Sequence, residues 1–318
     1  MKIAITGGCG FIGSSLVRYL NDKKFYNIDI CEPVSSYQSL WRNLIDLRYN
    51  KIISPDALLN VLTHEYDVII HLGANSDTRQ EANPDNWDNN ITFSKNLIDK
   101  INSCHVDNKP FFIFASSAAV YGKETENFRE SINAKPTNFY GFTKLDVEKY
   151  ILNLSDNKNF YSLRFFNVYG GREFHKEQNG ISSPIFKWLN QQESKITLFQ
   201  SENPSFKNSQ MRRDFIYVYD VCDIIYHCIH HAPCVGGIYN VGTGEAKSWE
   251  QVAKAVFDAK KIAGTVSFDN MPNSIRNHYQ YYTCSNNNSL RNVLNYKKDF
   301  TSLAEGVKLA YEEMKSLY

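Results

Sequence analysis

The 318 residues carry 35 Lys and Arg against 34 Asp and Glu, a formal net charge of +1, with 42% hydrophobic and 22% charged residues. This is the composition of a soluble globular chain, long enough for one large domain or two smaller ones. The balanced charge excludes a partner chosen by bulk electrostatics, such as nucleic acid or an anionic membrane, and no apolar run approaches the ~20 residues that span a bilayer. Seven cysteines (Cys9, Cys31, Cys104, Cys222, Cys228, Cys234 and Cys284) form no C-x-x-C pair and no zinc spacing. Free thiols in a reducing cytoplasm, and no metal site, are therefore expected.

The opening "KIAITGGCGFIGSSLVRYL" reads as an apolar strand, a glycine turn and an amphipathic helix, not as a signal peptide. Gly7, Gly10 and Gly13 recur at every third position. Such a turn lets the backbone approach a pyrophosphate, which then sits at the positive end of the following helix. Gly7, Gly10, Phe11, Ile12 and Gly13 are accordingly the candidate cofactor contacts. Cys9 among them reads as a small packed residue.

A second strand, "FYNIDICEPV", ends near Glu32, 19 residues beyond Gly13. That is close to the ~20 expected of the acid that holds a ribose diol. Asp29 competes for the role. A carboxylate here repels a 2′-phosphate and no Arg or Lys follows in "PVSSYQSL", so NAD is expected ahead of NADP. Next, "YDVIIHLGANSD" is a buried strand that presents Leu72, Gly73 and Ala74 at its carboxyl end; "NWDNNITFSKNLIDKI" is helical and "KPFFIFASSAAVYG" is a further buried strand. The βαβ rhythm predicts an α/β fold, a Rossmann-type doubly wound parallel sheet with ligands at the carboxyl ends of its strands.

Ser116 and Ser117 end that strand, and "NFYGFTKLDVEKYI" places Tyr140 and Lys144 four apart on one helix face. A lysine cation near a phenol favours phenolate. A serine hydroxyl can bond the same substrate oxygen, so the set can move an alcohol proton while a nicotinamide exchanges hydride.

With "TGGCGFIG", "HLGANSDT", "SSAAVYG", Tyr140/Lys144, "LRFFNVYGGRE", "RRDFIYVYDV" and "IYNVGTG", nearly the whole chain resembles the extended short-chain dehydrogenases/reductases, which act mainly on nucleotide sugars. The resemblance makes Ser117 the catalytic serine and Asn90 the family's helix asparagine, a cofactor-side residue with a structural part. Dehydratases of the family carry an Asp-Glu pair after the catalytic hydroxyl residue; Ala118 and Ala119 stand here and cannot transfer a proton. The second half, through "RFFNVYGGREFHKE", "LFQSE", "SWEQVA" and "HYQYYT", is most similar to the ADP-glycero-manno-heptose 6-epimerases. That likeness implies a second acid/base group, Lys176, buried and with a lowered pKa, because inversion through a ketone needs a proton donor on each face. It also implies Arg213 as a diphosphate clamp, Phe199 beside the base, and Asn167, Arg276 and Tyr279 as pocket contacts.

The chain departs from the pattern at Gly171, where proline is usual, in the slightly longer "EQNGISSPIF", near Asp46 to Ser54, which fits poorly the family's acid at a strand end, and more mildly at Glu32, where aspartate is usual. His175 and the His230–His231 pair read as hydrogen-bonding or surface residues. The expected layout is a dinucleotide-binding domain over 1–170, rejoined by about 214–242, and a smaller α/β substrate lobe over 171–318. A nucleotide-diphosphate sugar and further copies of the chain are the expected partners. C4 oxidation or epimerisation of a related sugar nucleotide, and a non-catalytic cofactor-binding regulator, stand as alternatives.

Overall fold

The computed structural model describes residues 1–36, 40–105, 109–126, 128–204, 206–208, 211–230, 235–272, 276 and 279–317. His231 and Cys234 lie outside them; the six described cysteines are free and His230 is exposed.

Strands β1 (Ile3–Thr6), β2 (Ile28–Cys31) and β4 (Val68–His71) are buried at every position. Strands buried on both faces in this way belong to a parallel sheet covered by helices. They join β3 (Lys51–Ile53), β5 (Phe111–Ser117), β6 (Phe160–Phe165) and β10 (Gly237–Val241) in one seven-stranded sheet of order β10-β6-β5-β4-β1-β2-β3. Every pairing in it is parallel. The order reverses at β1, which lies between β4 and β2, and a crevice opens there beyond the strand ends.

Helix α1 (Phe11–Asp22) leads from β1 toward β2, and α2 (Pro55–Glu65) begins at Ser54, whose side chain accepts from the Ala57 N–H. The short α3 (Pro84–Trp87) runs through a π-turn, Asp88–Thr92, into α4 (Phe93–Asn102). Helix α5 (Phe139–Leu152) follows β5.

Beyond β6 the chain builds a second layer. Strands β7 (Asn167–Tyr169), β9 (Arg212–Tyr217) and β11 (Ala246–Ser248) form a three-stranded sheet, and β8 (Lys195–Phe199) pairs with β12 (Thr265–Asp269). Short helices α6 (Phe174–Gln178) and α7 (Pro184–Asn190) lie between β7 and β8. After β9, α8 (Val218–His230) packs on α1 and delivers the chain to β10 in the large sheet. Helices α9 (Trp249–Lys260), α10 (Asn288–Asn292) and α11 (Leu303–Leu317) complete the described chain. One apolar cluster runs from Ile3 and Leu16 through Val221 to Leu198, Val252 and Val307, so both layers share a core. Among the described residues no helix is long and apolar enough to cross a membrane.

Candidate active site

A cleft of about 600 Å³ opens at the carboxyl end of the sheet. Its floor is the glycine turn. A Cβ on Gly13 would lie 2.2 Å from the Gly7 carbonyl oxygen, so only glycine lets α1 start this close to the turn. Helix α1 has no side-chain cap at Gly10 and no acidic residue in its first turn. The leading N–H groups of a helix lack intrahelical partners, and here Phe11, Ile12 and Gly13 line the cleft. An uncapped helix end against a glycine cradle fits the pyrophosphate of a dinucleotide.

Glu32 stands at the same wall, buried, with one carboxylate oxygen accepting from the Cys9 N–H at 3.2 Å. Burial pushes its pKa up to about 7, against hydrogen bonds from Cys9 and Ser36 that pull it down. Asp29 does not line the cleft; its carboxylate accepts from the Tyr66 hydroxyl at 2.7 Å and faces Lys2 at 3.4 Å. Leu72, Gly73 and Ala74 form the facing wall. Asn90, counted among the cofactor-side residues, does not reach it. Its amide accepts from the Asn75 N–H at 2.8 Å and donates to the Asn75 carbonyl at 3.0 Å, which pins the loop after β4.

Ser117 ends β5, and Tyr140 and Lys144 lie on α5 facing the cleft. A Cβ on Gly141 would meet the Ala119 carbonyl at 2.6 Å, so this glycine brings α5 against the segment after Ser117. The Asn138 side chain starts the helix by accepting from the Gly141 N–H at 2.8 Å. Burial pushes the Tyr140 phenol up to about 12, and the hydrogen bond to Ser117 pulls the other way. Lys144 is 2% exposed, with Nζ 5.7 Å from the centre of the Tyr140 ring and 4.7 Å from that of Phe114. Burial pushes its pKa down to about 7, opposed by Glu148.

Of the groups around the phenol, Ser117 favours phenolate through its hydrogen bond, while Lys144 stands by the ring. Beneath the trio is a network absent from the sequence reading. Glu148 accepts from Ser116 Oγ at 2.5 Å and from the fully buried Arg164 at 2.9 and 2.7 Å.

The opposite wall comes from the second layer. Asn167, Glu173, His175 and Lys176 line it. Lys176 is half-buried rather than buried, with Nζ 5.3 Å from the Phe11 ring centre. Just before α6, Arg172 is fully buried between Asp46 (3.0 and 2.7 Å) and Glu313 (2.9 Å). Glu173 accepts from the backbone and hydroxyl of Ser183 at 2.7 and 2.6 Å. At the rim Arg79, held by Asp77 at 2.8 Å, donates to the carbonyls of Asn179 and Gly180 at 3.3 Å.

The remaining candidates lie outside this cleft. Arg213 is buried with its guanidinium 5.0 Å from the Tyr279 ring centre and donates to its neighbour's carbonyl, Arg212 O, at 3.1 Å. Burial lowers its pKa, as expected of a guanidinium with little water. Tyr279 accepts from Trp249 Nε1 at 3.1 Å. Phe199 closes β8, half-buried, and the exposed Arg276 donates to Glu202 at 2.7 Å.

Residues 3–242 match the NAD dependent epimerase/dehydratase family. The ADP-L-glycero-D-manno-heptose-6-epimerase of Nitratidesulfovibrio vulgaris is 32% identical over 314 residues, 95% of this chain and 94% of the relative. Among solved structures, the Helicobacter pylori ADP-L-glycero-D-manno-heptose-6-epimerase superposes with a TM-score of 0.81 at 26% identity, covering 99% of this chain and 96% of that one. The UDP-N-acetylglucosamine 4-epimerase of Methanobrevibacter ruminantium shares the fold at a TM-score of 0.81 and 22% identity, over 100% and 99% of the two chains. With a family match over three-quarters of its length and a relative aligned over 95% of it, the chain belongs to the NAD dependent epimerase/dehydratase family.

Proposed function

We propose that the protein is an NAD-dependent nucleotide-sugar epimerase that inverts an alcohol carbon through a transient ketone, acting on a nucleotide-activated glycero-manno-heptose. The observation that carries this reading is that Tyr140, on α5, and Lys176, on α6, line one cleft from separate elements. A simple dehydrogenase has use for one proton-transfer group at the reacting oxygen; a second, on a separate wall, suits return of the hydride to the opposite face.

Gly7, Gly10, Phe11, Ile12 and Gly13 would hold the pyrophosphate, Glu32 a ribose diol, and Leu72, Gly73 and Ala74 the facing side. The cofactor's chemistry is reversible acceptance of a hydride. Tyr140 takes the proton from the alcohol on one face, Ser117 holds the same oxygen, and Lys144 supplies a cation beside the phenol. On the other face Lys176 exchanges the proton. Arg213 would clamp the diphosphate from beyond the cleft, with Phe199 by the base, Asn167 toward the sugar or phosphate, and Arg276 and Tyr279 as further substrate contacts. Ala118 and Ala119 leave no acid–base pair for dehydration.

The test is incubation with ADP- and GDP-linked manno-heptoses, following product stereochemistry and NADH absorbance. Epimer without net NADH supports the reading, and steady NADH with a ketone product refutes it. Lys176→Met should abolish epimerisation with cofactor still bound; near-normal turnover would place Lys176 outside the chemistry.

A further inference from the structure

The segment joining β2 to β3 holds a buried asparagine, Asn43, 2% exposed in the short 3₁₀ turn Trp41–Leu44. Its amide nitrogen is 3.0 Å from the Cys9 carbonyl and 3.2 Å from His175 Nδ1. A carbonyl only accepts, so the atom at Cys9 is the NH₂ group, and His175 Nδ1 must accept as well. The imidazole proton then lies on Nε2. Burial and the neighbouring Lys176 charge hold His175 down to about 4, which keeps the ring neutral and this arrangement intact. The backbone carbonyl of Asn43 accepts from Arg172 Nη1 at 3.0 Å, so two consecutive stretches of the Lys176 segment are tied to one residue. Cys9 in turn gives its N–H to Glu32. A continuous line of hydrogen bonds therefore runs from the acid at the cofactor wall, through the glycine turn, to the residue before Lys176.

We infer that Asn43 is a positioning residue for the second proton-transfer group, locking the helix that carries Lys176 to the dinucleotide turn. The inference rests on the epimerase reading above. Helix α6 has five residues, none of them fully buried, and its apolar anchor is Phe174, edge-on to Phe186 at its first position, which leaves the orientation of the following turn to polar contacts. The Asn43 amide and the Arg172 clamp supply those contacts, and Lys176 lies against Phe11 at the start of α1 as a result.

The test compares Asn43→Leu, which keeps the volume and removes both N–H bonds, with Asn43→Asp, which keeps the native shape should the leucine variant not fold. In the full-length protein, bound NAD per chain and the single-turnover reduction of that NAD by each of the two ADP-heptose epimers are measured. We expect NAD content within about twofold of wild type and oxidation of one epimer slowed about tenfold or more, with the other within about twofold. The slowed epimer should be the one slowed by Lys176→Met. The Asn43→Leu/Lys176→Met double variant should be no slower than Lys176→Met alone, because a residue acting through Lys176 has nothing left to position. Equal slowing of both epimers, loss of NAD, or multiplied losses in the double variant would overturn the inference. A wild-type protein inert toward both epimers would instead defeat the epimerase reading itself, and this inference with it, before any variant is made.

Discussion

Glu32 offers a test of cofactor binding that does not depend on turnover. In the chain without cofactor, burial raises this carboxyl from its ordinary 4.5 to about 7. A ribose diol donates to a carboxylate, so NAD binding selects the ionised form and must release the proton that Glu32 carries below pH 7. The sign follows: affinity rises with pH toward about 7 and levels above it, losing roughly tenfold for each pH unit below. The same group makes cofactor-free stability run the other way. The folded chain holds a proton there between pH 4.5 and about 7 that the unfolded chain has lost. Its contribution is therefore full below pH 4.5 and declines by at most roughly 3 kcal/mol as pH climbs through that window. Calorimetry of NAD binding at pH 6 and pH 8, each in two buffers of different ionisation enthalpy, counts the released proton directly. Nearly one should appear at pH 6 and nearly none at pH 8. Lys144 also lines the cleft with a pKa brought down to about 7, so Glu32→Gln is the control that separates the two. A variant with the same pH dependence as wild type, or uptake of a proton at pH 6, refutes the assignment.

Gly13→Ala puts a methyl 2.2 Å from the Gly7 carbonyl and should cost about 1–3 kcal/mol of stability with loss of NAD binding; wild-type melting and binding would show that α1 can move aside. Arg164→Met leaves the buried Glu148 carboxylate with Ser116 but without its guanidinium partner and should destabilise by about 3–5 kcal/mol in denaturant, with Glu148→Gln added to it restoring part; an additive loss would mean the pair is not coupled. Arg79→Ala removes the bonds across the rim to Asn179 and Gly180, so KM should rise several-fold with kcat within about twofold and amide exchange at 179–181 should quicken. Unchanged KM and exchange would show that the rim closes without it.

What could be read from the chain and what could not divides along sequence separation. The glycine turn and the Tyr140/Lys144 spacing each sit within one short element, where backbone geometry alone carries the meaning. The parallel sheet followed from the alternation of buried strands and helices along the first half of the chain. Spacing from Gly13 favoured Glu32, just past β2, without disposing of Asp29 inside the strand; only Tyr66 and Lys2, folded in from elsewhere, show where Asp29 is spent. Arg164 did leave a trace: a cation inside the fully buried strand "FYSLRF" must be paired, and Glu148 four residues past Lys144 faces the same side of α5.

The second wall is different in kind. Arg172 finds Asn43, Asp46 and Glu313 at separations of 129, 126 and 141 residues, and no local pattern announces such a set. The stretch near Asp46, which matched its family poorly as the end of a strand, is thus an anchor for the opposite side of the cleft. This bears on Lys176 itself. Resemblance marks it as a proton-transfer group by its place after "GGRE", yet a half-exposed lysine on a five-residue helix holds no position of its own. Whatever chemistry it performs depends on Asn43 and Arg172, so the slightly longer "EQNGISSPIF" that follows can reshape the sugar pocket while the clamp upstream keeps the lysine where it is.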